Sequence, residues 1–505
     1  GLFGSKIRTL VWVLIFAIFI LGLILPTDMS LVLASVFALN FGLMSFGLVF
    51  MYRRKILLSP PGIFFVTSIP FYTFGNIGDL TGRRSWILNH QGALDNYVLV
   101  GILSSLGLVV YLWSLVRFNR VGRGTMAQGS IWQQDSARAN ELLEQCVSFR
   151  SVLGTAVTAI VMLAYLSWNY DFVGGYFIDV NSQFDKYLAG TMYSFVFLSA
   201  LLGAFAIIRR EGAMRVLGVV VLSLALLLVL MMRSRSTMGF IIVCILGVCL
   251  TALPLSTKYL TRMIGVGLLL LVVLLGLGTV VKDAQRENRL QAATSSMMDN
   301  LGSVVAVSTQ DATRLFFSSV VNYGPTRMAG FEFPASLMMA FNNGGEPMYG
   351  RALISSAIAF LPSALRPEGT YSERYAIGEF YRPYGFIHND MPGMVLSTGL
   401  AEVGPLGVIP VFILFALWHS LLWKLACRSR IFFLAYLAHI PALMRMDLLW
   451  DSIFHSLRVG LVLMVALYVL APLMRKVKKN RRRRRQPLNP QIRPDLQMRT
   501  DRPSI

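Results

Sequence analysis

Apolar runs of about 18 to 22 residues recur along the chain, separated by short polar or charged stretches, and each is long enough as a helix to cross roughly 30 Å of hydrocarbon. Transmembrane strands would instead need alternating segments of about ten residues, and the chain contains none. The runs predict spans near 9–25, 30–51, 56–75, 96–116, 149–168, 188–208, 216–232, 238–255, 263–281, 393–423, 431–444 and 455–474. The predicted fold class is all-α: a polytopic membrane protein of about 12 transmembrane helices, with one large loop of short helices between the ninth and tenth.

The polar stretches orient these spans. "SKIRT" before the first run, "YRRK" at 52–55, "RFNRVGRG" at 117–124, "RREGAMR" at 209–215, "KYLTR" at 258–262 and "KLACRSR" at 424–430 all fall on one side. By the positive-inside rule that side is cytoplasmic, and an even number of spans puts both termini there. The chain then divides into a first block of nine spans, 1–281, with a cytoplasmic loop near 117–148, and an exterior loop, 282–392. A closing block of three spans, 393–474, and a basic tail, 475–505, follow. The exterior loop carries nine Lys/Arg and ten Asp/Glu, unlike the cytoplasmic connections. Loops of that length are usually functional or structured. Within it "LGSVVAVS", "FPASLMMAF" and "ALISSAIAFLPSAL" predict short helices lying on the membrane surface or dipping into it.

Composition agrees with this class. Of 505 residues, only 14% are charged, against about 25% in soluble domains. The net charge of +21 raises the question of nucleic acid, but about half of the excess sits in the tail, with 12 Lys/Arg against 2 acidic residues from Arg475 onward. Such a Pro-containing basic segment predicts a disordered stop signal that touches anionic headgroups. No basic surface interleaved with aromatic residues offers to read bases, so nucleic acid is not an expected partner. Cys146, Cys244, Cys249 and Cys427 show neither zinc spacing nor a disulfide framework. The N-terminal run lacks a small-residue cleavage site and predicts a first membrane helix, not a removable signal.

One stretch breaks the charge rule. "MRSRSTMGFIIV" places Arg233 and Arg235 on the exterior side between two spans. Ionisable residues at membrane depth are functional suspects, and snorkelling at a helix end is the plain alternative. Further exterior arginines follow: Arg83 and Arg84, then Arg351, Arg366, Arg374 and Arg382 in the large loop. "LMRMDLLWDSIFHSLR" adds Arg445, Asp447, Asp451, His455 and Arg458. Several permanently charged guanidiniums on one face suit a pyrophosphate, which they can grip bidentately. A metal-dependent site would want clustered carboxylates, and no Asp-x-Asp pair stands near an exterior helix end. The expected cofactor and metal content is therefore none. For a base that activates a hydroxyl, His388 in "HND" is suited by its ordinary pKa near 6.5, with Asn389 and Asp390 beside it. His90 lies in the first exterior loop, while His419 and His439 lie in apolar spans and predict satisfied packing residues.

Three stretches together resemble the bacterial O-antigen polymerase and ligase superfamily, the Wzy-type polymerases and their ligase relatives. Ser234-Arg235 is similar to the family's Ser-Arg signature at the outer end of a mid-chain helix. His388, Asn389, Glu402, Gly404 and Gly407 resemble its His-Asn stretch followed by Glu-x-Gly-x-x-Gly. "PMYGRALISSAIAFLPSALRPEG" is similar to the Tyr-Gly and Pro-rich region of the repeat-unit polymerases, with Tyr349, Arg351 and Arg366 in it. Ser363 and Gly369 stand where that region would carry basic residues.

The resemblance implies a glycosyltransferase of the bacterial inner membrane with its active site facing the periplasm. It would transfer an undecaprenyl-pyrophosphate-linked glycan onto a sugar hydroxyl of another lipid-linked repeat unit, with inversion and without metal. His388, Arg235 and Asp390 are the expected catalytic residues. Arg233, Arg351, Arg366, Tyr349, Arg445, Asp447 and Glu402 are the expected substrate contacts. The lipid-linked oligosaccharide, the bilayer and a chain-length regulator are the expected partners. Two other readings stand beside it. An O-antigen ligase would use the same donor with lipid A–core as acceptor, and a lipid-linked oligosaccharide flippase would use twelve helices and a basic cavity. A transporter would more typically show paired halves, and this chain has no convincing internal repeat.

Overall fold

In the computed structural model, the residues described are 30–53, 56–73, 76, 93–118, 131–170, 172–173, 176–177, 180, 182–231, 330–361, 365–367, 372–386, 394–443 and 448–474. They are almost wholly helical. In chain order the helices are α1 (Ser30–Arg53), α2 (Pro60–Tyr72), α3 (Ala93–Phe118), α4 (Ile131–Cys146), α5 (Phe149–Asn169), α6 (Gln183–Arg209) and α7 (Ala213–Met231). After the undescribed stretch come α8 (Glu332–Asn342), α9 (Arg351–Phe360), α10 (Glu373–Tyr381), α11 (Val395–Val403), α12 (Val408–Ala426), α13 (Arg430–Leu443) and α14 (Leu449–Met474). A minimal antiparallel hairpin, β1 (Phe172–Val173) and β2 (Tyr176–Phe177), joins α5 to α6.

Among the described residues six helices are long and apolar enough to cross a membrane: Leu31–Tyr52, Ala93–Phe118, Phe149–Asn169, Phe184–Arg209, Pro405–Ala426 and Leu449–Leu470. The protein is a helical membrane protein. Large apolar side chains stay exposed along whole helix faces, as Val157, Val161 and Trp168 do on α5. That pattern suits lipid as the surrounding solvent, with Trp168 at a helix end where interfacial aromatics gather. The expected spans at 9–25, 238–255 and 263–281 lie outside the described residues.

Four expected spans take a different form. Residues 56–75 give only the 13-residue α2, because Ser59 caps the helix, its Oγ accepting from Gly62 N, just before Pro60-Pro61. The expected span at 431–444 is the 14-residue α13, with Pro441 inside it. The run at 393–423 is broken. α11 stops at Gly404, whose φ of +78° favours glycine, and Pro405 opens a short 3₁₀ turn into α12. There the backbones of Gly399 and Gly407 touch so closely that a Cβ on Gly407 would sit 2.1 Å from the Gly399 carbonyl oxygen. Finally, α14 begins at Leu449 and not near 455, so much of the expected connection is helix. α8, in one of the stretches expected to form short helices, has most of its residues buried and packs on α3 and α11.

Buried amides pin these layers together. Asn76 Oδ1 accepts from Phe331 N at 2.9 Å and from the Tyr97 hydroxyl at 3.0 Å, which ties α8 to α3. On α12, His419 Nδ1 meets the Tyr111 hydroxyl of α3 at 2.6 Å, the satisfied packing role expected for it. His439 is buried on α13, but neither ring nitrogen has a hydrogen-bond partner among the described residues.

Helices α6 and α7 also approach closely. A Cβ on Gly218 would lie 2.7 Å from the Gly203 carbonyl oxygen and 2.9 Å from Ala206 Cβ. Small residues at such a crossing let backbones approach and gain van der Waals contact, the main source of helix affinity in lipid. Gly218→Ala should therefore destabilise the protein by about 1–3 kcal/mol, read as a lower unfolding midpoint in detergent. Gly154→Ala is the control, because a Cβ there meets nothing within 4 Å.

Candidate functional site

Residues 346–361 and 372–386 fold onto the ends of α11 and α14. Glu402, on the last turn of α11, is 5% exposed. Its Oε2 accepts from Gly350 N, and its Oε1 accepts from Leu353 N at 2.8 Å and Trp450 Nε1 at 3.1 Å. Gly350 is the N-cap residue of α9, so a carboxylate from α11 caps that helix and completes its first turn. The preceding segment runs beside α11, with Met348 N donating to Ala401 O at 2.8 Å and Tyr349 N to Glu402 O at 3.1 Å. This path forces Tyr349 to φ +47°, an uncommon value for a residue with a side chain, and leaves its ring 75% exposed.

A second junction joins α10, α11 and α14. Glu373, fully buried at the start of α10, accepts from Thr398 Oγ1 through Oε1 and from Asp451 N at 3.0 Å through Oε2. Asp451 Oδ1 in turn accepts from Glu373 N and from Ser356 Oγ, both at 3.0 Å. Thr398 Oγ1 also accepts from Leu449 N at 2.9 Å. Each helix start thus supplies a carboxylate that caps the other. Burial, then the charge of Asp451, push the Glu373 carboxyl well above the usual range, although Thr398 and the backbone amides of Asp451 and Trp450 pull it down.

Beside this junction lies a cavity of about 280 Å³. Arg374 of α10 and His455 and Arg458 of α14 give it cationic or donor groups, while Asp451 and Ser356 give it acceptors. Phe360 and Phe454, whose ring centroids are 5.9 Å apart, form an apolar wall. The Arg458 guanidinium stacks over Tyr187 of α6, its Cζ 4.6 Å from the ring centroid, which holds it by cation–π attraction. The volume is near the lower end of ligand pockets, roughly 300–1,000 Å³. A site of this size suits the reacting end of a lipid-linked glycan, with the rest of the molecule outside it.

Of the residues expected to act, Arg233, Arg235, His388, Asp390, Arg445 and Asp447 lie outside the described residues. The other four are placed, and they do not converge on the cavity. Glu402 has its carboxylate committed to backbone and indole donors. Arg351 is exposed with its Cζ 5.2 Å from the Phe380 ring centroid, and Arg366 Nε donates to Leu361 O at 2.8 Å. Tyr349 is exposed beside the α9 cap. The cavity draws instead on Arg374, Asp451, His455 and Arg458, charged and polar residues that the sequence analysis expected on the exterior side but that no motif had singled out. Their spacing carried a signal: 451, 455 and 458 share one face of a helix. Among the described residues, no group of three or more His, Cys, Asp and Glu side chains is placed to hold a metal ion. Searches of protein-family models, curated proteins and solved structures return no match to this chain.

Proposed function

We propose that the chain is a Wzy-like polysaccharide polymerase. It joins an undecaprenyl-pyrophosphate-linked glycan to a sugar hydroxyl of a second lipid-linked repeat unit, at the periplasmic face of a bacterial inner membrane. About twelve spans, both termini inside and an exterior loop at 282–392 belong to this reading. The observation that carries it is the cationic cavity between α9, α10 and α14, where Arg374 from the segment joining two spans meets Arg458 and His455 on the last span. Permanently charged groups fixed in a confined, partly apolar site stabilise a departing pyrophosphate far better than they would in water. The three motif stretches supply the choice of glycan chemistry.

The test uses purified protein in detergent with a panel of synthetic undecaprenyl-pyrophosphate repeat units and EDTA, resolved by chain length on a gel. Wild type should give a ladder. Arg374→Ala and Arg458→Ala should each reduce its formation by about 10²-fold, the usual cost of removing one charge-stabilising donor. A single product that appears only when lipid A–core is added would make the protein a ligase, the acceptor choice towards which the His-Asn and Glu-x-Gly-x-x-Gly stretch leans. Tight binding without transfer to either acceptor would make it a transporter.

A further inference from the structure

Two carboxylates facing one another across a buried junction need a reason. Capping α10 and α14 requires only neutral acceptors such as Ser or Asn, and a like-charged pair in a buried site is costly. Asp451 is the member that also reaches the cavity. It is half-buried, lines the wall, and among the described residues makes both of its side-chain hydrogen bonds through Oδ1. Oδ2 is the atom we assign to a ligand. His455 and Arg458 follow it at one and two turns on the same face, and Arg374 stands across from them on α10. The cavity thus sets an anion-holding side beside one carboxylate oxygen whose carbon skeleton is fixed by Ser356 and by the backbone of Glu373.

We infer that Asp451 Oδ2 receives the proton of the acceptor hydroxyl in this cavity, and that Glu373 is the positioning residue that holds it there. The inference rests on the transferase reading. In the step, the hydroxyl oxygen bonds to the anomeric carbon of the donor as its proton passes to Asp451. The anomeric carbon–oxygen bond to pyrophosphate breaks, and the lipid pyrophosphate leaves with the electron pair against Arg374 and Arg458. Asp451 then returns the proton to solvent. Burial, then the neighbouring Asp451, hold the Glu373 carboxyl above its ordinary range, and of the two carboxylates only Asp451 lines the cavity.

Asp451→Asn separates this role from capping. The amide oxygen can still accept from Ser356 Oγ and Glu373 N, while the basic oxygen is gone. The expected result is an unfolding midpoint no lower than wild type, affinity for inorganic pyrophosphate no weaker than wild type, and transfer lowered by about 10²–10⁴-fold in kcat with KM little altered. Glu373→Gln should lower kcat less and shift the acidic limb of the kcat/KM profile, a change that a purely structural brace would not make. Should Asp451→Asn fail to fold, Asp451→Glu keeps the carboxylate, and residual transfer with the acidic limb intact is then expected. Transfer by Asp451→Asn within a few-fold of wild type overturns the inference, as does an Asp451→Glu variant that folds and binds pyrophosphate but transfers nothing, and the loss of transfer in His388→Ala would then assign the base elsewhere. Those outcomes leave the transferase reading standing. A wild type that neither binds pyrophosphate nor transfers any glycan overturns both.

Discussion

Glu402→Ala should cost about 3–5 kcal/mol and lower the unfolding midpoint by roughly 5–10 °C. Three donors lose their acceptor at once: Gly350 N, Leu353 N and Trp450 Nε1. Two of them are first-turn amides of α9 with no partner inside the helix, and a buried donor left unsatisfied costs its full desolvation penalty, about 1–3 kcal/mol each. Glu402→Gln should lie between, because its amide oxygen can serve one side of the site while its NH₂ faces donors on the other. Activity should fall with stability in both variants, since α9 carries Ser356 and Phe360 into the cavity wall. Differential scanning fluorimetry in detergent and the chain-length gel, run on the same preparations, check this. A Glu402→Ala protein with wild-type stability and weakened substrate binding would return Glu402 to the ligand contact its motif suggested.

That possibility shows where sequence reasoning reaches and where it stops. Long apolar runs locate helices well because lipid demands them: α3, α5 and α6 fall within a few residues of the spans predicted at 96–116, 149–168 and 188–208. Hydropathy is blind to backbone geometry, so the break at Gly404–Pro405 vanished inside an apolar run. The early start of α14 was hidden for the converse reason. Polar residues at 447–455 look like a loop until Thr398 and Glu373, far away in the chain, cap the helix that contains them.

The candidate site follows the same logic. Charge patterning led to the expectation that arginines accumulate on one side, and the cavity uses two of those arginines, Arg374 and Arg458. Which ones meet depends on tertiary packing of α10 against α14, and no short motif encodes that. Glu373 was the least legible residue of all. In "TYSERYAIGEFY" a carboxylate looks like part of a solvated helix face, yet the fold buries it completely.

Glu373 should therefore make stability fall as pH rises. In the folded protein its carboxyl is held well above the ordinary value by burial and by Asp451, whereas in the unfolded chain it ionises near the ordinary 4.5. Between those two pKa values the folded state binds more protons than the unfolded state, so the slope of unfolding free energy with pH is negative. The stabilising contribution is complete below the unfolded pKa and is lost as pH rises through the folded one. Glu373→Gln removes this titration, and its unfolding midpoint should be flatter from mildly acidic to neutral pH, overtaking or nearing wild type at the upper end. Glu373→Ala should be worse than wild type throughout, because Thr398 Oγ1 and Asp451 N lose their acceptor and α14 loses part of its cap. Thermal unfolding of the three proteins, followed upward in pH from the ordinary carboxylate range, measures all of this. If the wild-type slope survives in Glu373→Gln, another group governs it, and the reciprocal capping would have to be satisfied by an ionised pair.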